Sequence, residues 1–155
     1  MKRLLGLAIL VFTTRADAQP DTGWELRVPD RLEIQSGTSG SLVVSLAIDR
    51  GLAISKDAAI ILDLAPEGAL AVKRRRLGRA DAVDPDAEAP RFQVAVHADV
   101  PGDFALKLHL RFWLCGNKSC RPIDARRTIA VSVPAPAAPP SDAGVDAPAD
   151  AGRRK

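Results

Sequence analysis

The sequence lacks the short motifs that mark the common hydrolytic and nucleotide-dependent enzymes. It contains no G-x-S-x-G nucleophile elbow, no glycine-rich phosphate loop and no H-E-x-x-H helix. The acidic residues between positions 81 and 88 form an acidic loop without a recognisable pair of carboxylates for general acid–base catalysis. These absences remove hydrolysis from the candidate activities.

Metal-ligating residues are also scarce, with two cysteines and two histidines in 155 residues. A zinc site needs four protein ligands, or three and a water molecule. His109 precedes Cys115 by six residues on one predicted strand, so the two lie about 20 Å apart. His97 falls on another predicted strand, with no second histidine or cysteine beside it. We therefore expect no metal and no other cofactor, and interpret both histidines as outward-facing strand residues.

The chain has little net charge once its N-terminus is set aside. The formal charge is +3, but the first 18 residues hold three basic side chains and one acidic one, which leaves 19 basic and 18 acidic residues. A net charge this small removes the main argument for nucleic acid as a partner. The basic run Lys73–Arg76 is interpreted as a solvated strand end, with a patch for an anionic partner as the alternative.

Residues 1–18 have the pattern of a secretory signal peptide. A basic start, Lys2 and Arg3, and a short apolar run, Leu4–Phe12, precede a small-x-small cleavage pattern at 16–18. The run is too short to span a bilayer, and no cysteine follows it to carry a lipid anchor. We expect a periplasmic or secreted protein with no membrane span after cleavage.

Composition changes sharply after Val133. Residues 134–155 consist mainly of proline, alanine, aspartate and glycine, with almost no bulky apolar side chain. Such a segment buries too little apolar surface to offset the entropy of ordering, which predicts a disordered tail. The folded domain is therefore expected within residues 19–133.

Apolar residues in this domain recur with a period of two, which is typical of β-strands. In Phe104–Leu114, the longest example, every second residue is apolar, while Lys107, His109 and Arg111 face out. No segment of useful length has a helical period. About seven to nine short strands, each with one apolar face, predict an all-β sandwich of immunoglobulin type. Strands are expected at 25–28, 32–35, 41–48, 59–64, 70–73, 92–98, 104–114 and 129–133.

One connection is longer than a sandwich needs. Residues 77–90 (LGRADAVDPDAEAP) are polar, rich in alanine and acidic residues, and carry no strand pattern. Loops of this length without secondary structure are either functional or mobile. The sequence leaves both readings open.

The two cysteines flank a four-residue turn. Cys115 ends the longest predicted strand, and Gly116-Asn117-Lys118-Ser119 precedes Cys120. Residues flanking such a hairpin loop face each other with Cα atoms roughly 4.5–5.5 Å apart, within the range that a disulfide bridges. An exported protein also meets an oxidising environment. We therefore predict a Cys115–Cys120 disulfide.

The role of this disulfide has two interpretations. A closed loop of about six residues constrains the unfolded chain by only ~2 kcal/mol, and stabilising disulfides in sandwich domains usually join the two sheets. Lys118 and Arg121 place positive charge near the sulfurs, which favours a reactive thiolate, and Trp113 lies on the same strand face, where it can shield the bond. The pair is thus either a thiol-exchange centre or a structural disulfide in a non-catalytic binding or scaffolding domain.

Residues 112–122 resemble a hairpin of a known family. They consist of Phe112-Trp113-Leu114-Cys115, the four-residue turn and Cys120-Arg121-Pro122. This segment is similar to the strand–Cys–turn–Cys–x–Pro–strand hairpin in the N-terminal domain of the thiol:disulfide interchange protein DsbD. The order of strands, the long loop and the cysteine hairpin over roughly residues 22–133 is also similar to that of this domain. The chain differs from the best-known members in its narrower cysteine spacing and in its lack of tyrosine.

This resemblance implies an immunoglobulin-like periplasmic domain that passes electrons through its cysteine pair. Cys120 would form the mixed disulfide with a partner, and Cys115 would resolve it. The loop 77–90 would correspond to the family's cap loop, which covers the disulfide until a partner arrives. The implied partners are a periplasmic thioredoxin-like oxidoreductase and a membrane-linked electron donor, expected here as a separate protein.

Overall fold

A computed structural model describes residues 23–135, which form an all-β immunoglobulin-like sandwich, as the sequence predicts. The predicted signal peptide, and the predicted tail beyond residue 135, lie outside the described residues. A short 3₁₀ helix, Arg79–Asp81, accompanies the strands. The strands are β1 (Trp24–Arg27), β2 (Arg31–Glu33), β3 (Thr38–Ile48), β4 (Ala53–Ile54), β5 (Ile61–Pro66), β6 (Leu70–Val72), β7 (Arg76–Gly78), β8 (Phe92–Ala98), β9 (Gly102–Cys115) and β10 (Cys120–Val133).

The strands form two sheets. The first has the order β1-β3-β8-β6 and the second the order β2-β10-β9-β5-β7, with β4 pairing the far end of β9. Neighbouring strands run antiparallel except β2, which pairs with β10 in parallel. The longest strands, β9 and β10, therefore form a hairpin in the middle of the second sheet.

The core lies between the sheets, as the alternation of apolar residues requires. Five residues at alternate positions of β9 point inward, and each is at most 2% exposed: Leu106, Leu108, Leu110, Phe112 and Leu114. Leu42, Val44 and Val96 are buried on the opposing sheet. Burying one such side chain contributes roughly 1.5–3 kcal/mol. Within residues 23–135 no polar or charged side chain belongs to this buried set.

The structure departs from the predicted strands in several places. The described residues form ten strands, where about seven to nine were expected. The sequence pattern missed β4 and β7, because strands of two and three residues are too short to show a period. The strand expected from position 59 begins at Ile61, since the preceding segment leaves the sheet after β4. There the Ser55 hydroxyl accepts a hydrogen bond from the amide N–H of Ala58 at 3.2 Å.

Strand β10 is much longer than the predicted 129–133, because it begins at Cys120 and continues through Pro122. Pro122 lies opposite Trp113. Hydrogen-bonded and non-hydrogen-bonded pairs alternate along the ladder, and the bond between Gly116 and Ser119 makes this a non-hydrogen-bonded pair, so the nitrogen of Pro122 faces away from β9. A proline at such a position removes no ladder hydrogen bond. Among residues 23–135, no helix is long and apolar enough to cross a membrane.

Candidate functional site

The β9–β10 hairpin brings the two cysteines together. Cys115 and Cys120 are partners in the ladder, and the Gly116 N–H donates to the Ser119 carbonyl at 2.9 Å to close the turn. Because that bond makes 116 and 119 a hydrogen-bonded pair, the next pair, 115 and 120, is a non-hydrogen-bonded one, in which Cα atoms approach most closely. Their Cα atoms are 4.0 Å apart, and the predicted disulfide is confirmed.

The disulfide lies on the outer face of the second sheet. Leu114 and Ile123 point into the core, so the alternation of side chains directs Cys115 and Cys120 outward. Trp113 and Pro122 form the next outward pair along the hairpin, and Trp113 is 43% exposed. The disulfide therefore sits at the end of the sheet with an exposed aromatic ring as its neighbour.

The two sulfurs have unequal surroundings. Cys115 is half-buried, because Ala53 of β4 pairs with it on the side away from β10. Cys120 is exposed, and β2 pairs with β10 only from Ala130 to Ser132. Within the described residues no strand therefore pairs with β10 beside Cys120. An external group reaches Cys120 more easily than Cys115.

An open groove of about 390 Å³ runs along the outer face beside the disulfide. Its apolar wall includes Ile61, Trp113 and Pro122, and Arg111 and Asp124 lie at its charged end. Trp113 and Pro122 are the outward residues next to the cysteines, so a polypeptide segment at the disulfide would also lie against this groove. The groove offers an apolar contact and a charged contact to such a segment.

A network of charges crosses the same face of the sheet. Arg76 Nε lies 2.6 Å from one carboxylate oxygen of Asp63, and Arg111 Nη2 lies 2.7 Å from the other. The hydrogen bond from Arg76 is the main cause that holds the pKa of Asp63 below its ordinary value; partial burial opposes it, and Arg111 adds to the lowering. The same pair raises the pKa of Arg76. This network ties β5 to both of its neighbours, β7 and β9.

Asp63→Asn should make the acid sensitivity of the fold smaller. A carboxylate with a lowered folded-state pKa stabilises the fold above its unfolded pKa of about 4 and loses that contribution as pH falls through the folded value. We expect the free energy of unfolding of the wild type to exceed that of the variant by about 1 kcal/mol or less at pH 7. This difference should vanish towards pH 2. Urea unfolding of both proteins between these pH values measures it; a difference that stays constant with pH would contradict the assignment.

Both histidines lie on outer strand faces, as predicted, and each contacts a carboxylate. His97 Nε2 is 2.9 Å from Asp99, and His109 Nε2 is 2.7 Å from Asp124. The hydrogen bond with His109 is the main cause of a lowered pKa for Asp124. Across residues 23–135, no three side chains of the metal-ligating types come together. These contacts give both histidines a hydrogen-bonded place on the surface of the sheets.

The predicted loop 77–90 begins within β7 and the 3₁₀ helix and then lies against the segment that follows β4. The Arg79 guanidinium donates to the backbone carbonyls of Ser55, Pro85 and Ala87 at 3.1–3.5 Å. Lys56 Nζ donates to the carbonyl of Asp86 at 3.2 Å. These contacts fasten the loop beside β4, which is itself the neighbour of Cys115. A cap role over the disulfide stays a prediction.

The sequence pattern did not predict the contribution of β4 or of the Asp63 network to the site. Asp63 stands between the buried residues Leu62 and Leu64, and a lone acidic residue in such a strand is the signal that could have drawn attention to it. Its partners, Arg76 and Arg111, come from strands whose pairing with β5 only the fold reveals.

Comparison with known proteins finds distant structural similarities. No family model and no curated protein matches the chain. Among solved structures, it is similar to AggA, the major subunit of aggregative adherence fimbriae type I from Escherichia coli, at 10% identity and a TM-score of 0.40, over 71% of this chain and 95% of that one. Murine CRIg is similar at 5% identity and a TM-score of 0.38, over 71% and 97% of the two chains. The PapD-like domain 7 of human CEP192 is similar at 9% identity and a TM-score of 0.37, over 83% and 97%.

Proposed function

We propose that this domain carries out thiol:disulfide interchange with a partner protein through the pair Cys115 and Cys120. The observation that carries the proposal is the unequal exposure of the two sulfurs on the outer face of the sheet. Exchange requires one sulfur that a partner can reach and a second that leaves and later returns. Cys120 suits the first role and Cys115 the second, in agreement with the roles that the DsbD resemblance implies.

A purely stabilising role explains this disulfide less well. It joins neighbouring residues of a hairpin that its own ladder already holds, and a closed loop of about six residues contributes only ~2 kcal/mol. It leaves the two sheets unconnected. An exposed bond with a small structural effect suits a group that is broken and remade during function.

The reaction balances as a two-electron exchange. A partner thiolate attacks Sγ of Cys120, the Cys115–Cys120 bond breaks, and the Cys115 sulfur leaves as a thiolate that takes up a proton. The partner's second thiolate then attacks the mixed disulfide and releases Cys120. The partner dithiol becomes a disulfide and the domain becomes a dithiol, with two electrons and two protons transferred. The reverse sequence uses the same groups.

Two partners are proposed, a thioredoxin-like protein in the periplasm or outside the cell and a separate membrane-linked electron donor. The donor would reduce the pair by the steps above, and the reverse steps would pass the electrons to the thioredoxin-like protein. The signal-like pattern of residues 1–18 supports export. The disulfide supports an oxidising compartment, since such bonds persist there and are rare in the cytosol.

The reduction potential of the pair tests the proposal. We expect a value less negative than about −300 mV, because structural disulfides lie below that value and exchanging ones above it. The protein is equilibrated with glutathione and dithiothreitol buffers of set potential, and the fraction of disulfide is read by alkylation and mass spectrometry. A purified thioredoxin should exchange with the pair as a second readout. A potential well below −300 mV together with no exchange would sink the proposal.

A further inference from the structure

We propose that the free edge of β10 binds an extended, acidic segment of a partner polypeptide as an added β-strand. We call residues Cys120–Thr128 of β10 the open edge. On one side these residues pair with β9. On the other side β2 pairs only with Ala130–Ser132, so within residues 23–135 no strand pairs with the open edge.

The ladder fixes which backbone groups of the open edge point outward. Hydrogen-bonded and non-hydrogen-bonded pairs alternate along an antiparallel ladder, and 116 with 119 is a hydrogen-bonded pair. The backbone groups of even-numbered residues of β10 therefore face away from β9. Beyond the open edge this register is visible directly, because the Ala130 N–H donates to the Asp30 carbonyl and the Ser132 carbonyl accepts from the Ile34 N–H, both at 3.0 Å.

The outward-facing backbone groups of the open edge can pair with an added strand, and they are accessible to it. Pro122 lacks an N–H and contributes only its carbonyl, and the carbonyl of Arg126 accepts a bond at 3.0 Å from the exposed guanidinium of Arg127. An incoming strand displaces that side chain, which is an exposed surface contact. Outward N–H groups remain at Cys120, Asp124, Arg126 and Thr128. Rows of such groups are the usual template for strand addition.

The positive charge of the open edge favours an acidic partner strand. The open edge carries three arginines and one aspartate: Arg121, Arg126, Arg127 and Asp124. The Arg126 side chain is 75% exposed. A second copy of the same edge would bring the same positive excess, and like charges on paired strands are destabilising. An acidic strand meets the opposite charge, so the edge accepts acidic segments and rejects its own copies.

Hydrogen exchange of the full chain with a designed peptide tests this proposal. The probe is a peptide of alternating threonine and glutamate, and its match is a peptide of alternating threonine and lysine. We expect the acidic peptide to slow exchange at the outward amides of Asp124, Arg126 and Thr128, with no added protection at Ile123 and Ala125, whose amides already face β9. The basic peptide should bind at least about tenfold more weakly, and the difference should shrink in high salt.

A pair of variants isolates the backbone contribution. Arg126→Ala and Arg126→Pro lose the same charge, but only the proline removes an outward N–H. We expect the proline variant to bind the acidic peptide about three- to tenfold more weakly than the alanine variant, the equivalent of one lost hydrogen bond. Circular dichroism and urea unfolding check that both variants fold, and the two peptides on the wild type provide the test if the proline variant does not.

Three results would overturn the proposal: protection without the alternating pattern, equal binding of the two peptides, or dimerisation of the wild type through β10. The proposal does not depend on thiol exchange. Peptide binding should persist when Cys115 and Cys120 are both replaced by serine, so failure of the redox function and failure of strand binding are distinguishable.

Discussion

Phe112→Ala should lower the free energy of unfolding by about 3–5 kcal/mol, the range for removing a buried aromatic side chain. Phe112 is 2% exposed, and its ring meets that of Trp24 edge to face, with centroids 5.4 Å apart and planes at 87°. Such ring pairs add about 0.5–1.5 kcal/mol beyond their buried area. The loss is a large fraction of the 5–15 kcal/mol that typically stabilises a domain. Urea unfolding monitored by circular dichroism measures it.

The neighbouring aromatic residue provides the control. Trp113 lies next to Phe112 in β9 but points to the outer face and is 43% exposed. Trp113→Ala removes a larger side chain, yet we expect less than half the loss of stability, because much of its surface is already in water. Equal losses for the two variants would show that the assignment of inner and outer faces in β9 is wrong. That assignment also places the disulfide on the outer face.

The long strands were predictable because both of their physical signals are local. In β9 every second residue is apolar, and burial of these residues between two sheets is what fixes the strand and its register. Strand β8 begins and ends at the predicted residues, Phe92 and Ala98. The disulfide was predictable for the same reason, since a four-residue hairpin loop between two cysteines leaves their side chains facing each other.

The rest of the site depends on contacts between residues distant in sequence. Strand β4 has only two residues and exists because its backbone pairs with the end of β9. The charge network joins Asp63 to Arg111, which is 48 residues away along the chain. The loop 77–90 shows no strand period, and the bonds of Arg79 to backbone carbonyls determine where it lies. No local pattern of side chains encodes such pairings.

These distant contacts are what makes the two sulfurs unequal. In the sequence, Cys115 and Cys120 flank the same turn, and no local pattern shows which of the two is the more exposed. The pairing of β4 with β9 covers one side of Cys115, while the short reach of β2 along β10 leaves the side of Cys120 open. The proposed division of roles between attacked and resolving sulfur rests on this difference in exposure, and the reactivity of the two thiols can be measured without knowing the partner.

Cys115→Ala and Cys120→Ala each leave one free thiol, and we expect the thiol of Cys120 to react with glutathione disulfide at least about tenfold faster than that of Cys115. Cys120 is exposed, whereas Cys115 is half-buried beside β4. Alkylation quench followed by mass spectrometry gives the two rates.

Unfolding provides the matched control for this comparison. In concentrated urea the strands separate, so the two thiols should react at similar rates, and the tenfold difference should disappear. Both variants lose the same disulfide and one sulfur atom each, so their free energies of unfolding should differ little. Equal rates in the folded proteins, or faster reaction of Cys115, would contradict the assignment of Cys120 as the sulfur that a partner attacks. With Cys120 faster, Cys115→Ala is the variant that should accumulate mixed disulfides with a thioredoxin-like partner, since the sulfur that would release the partner is gone.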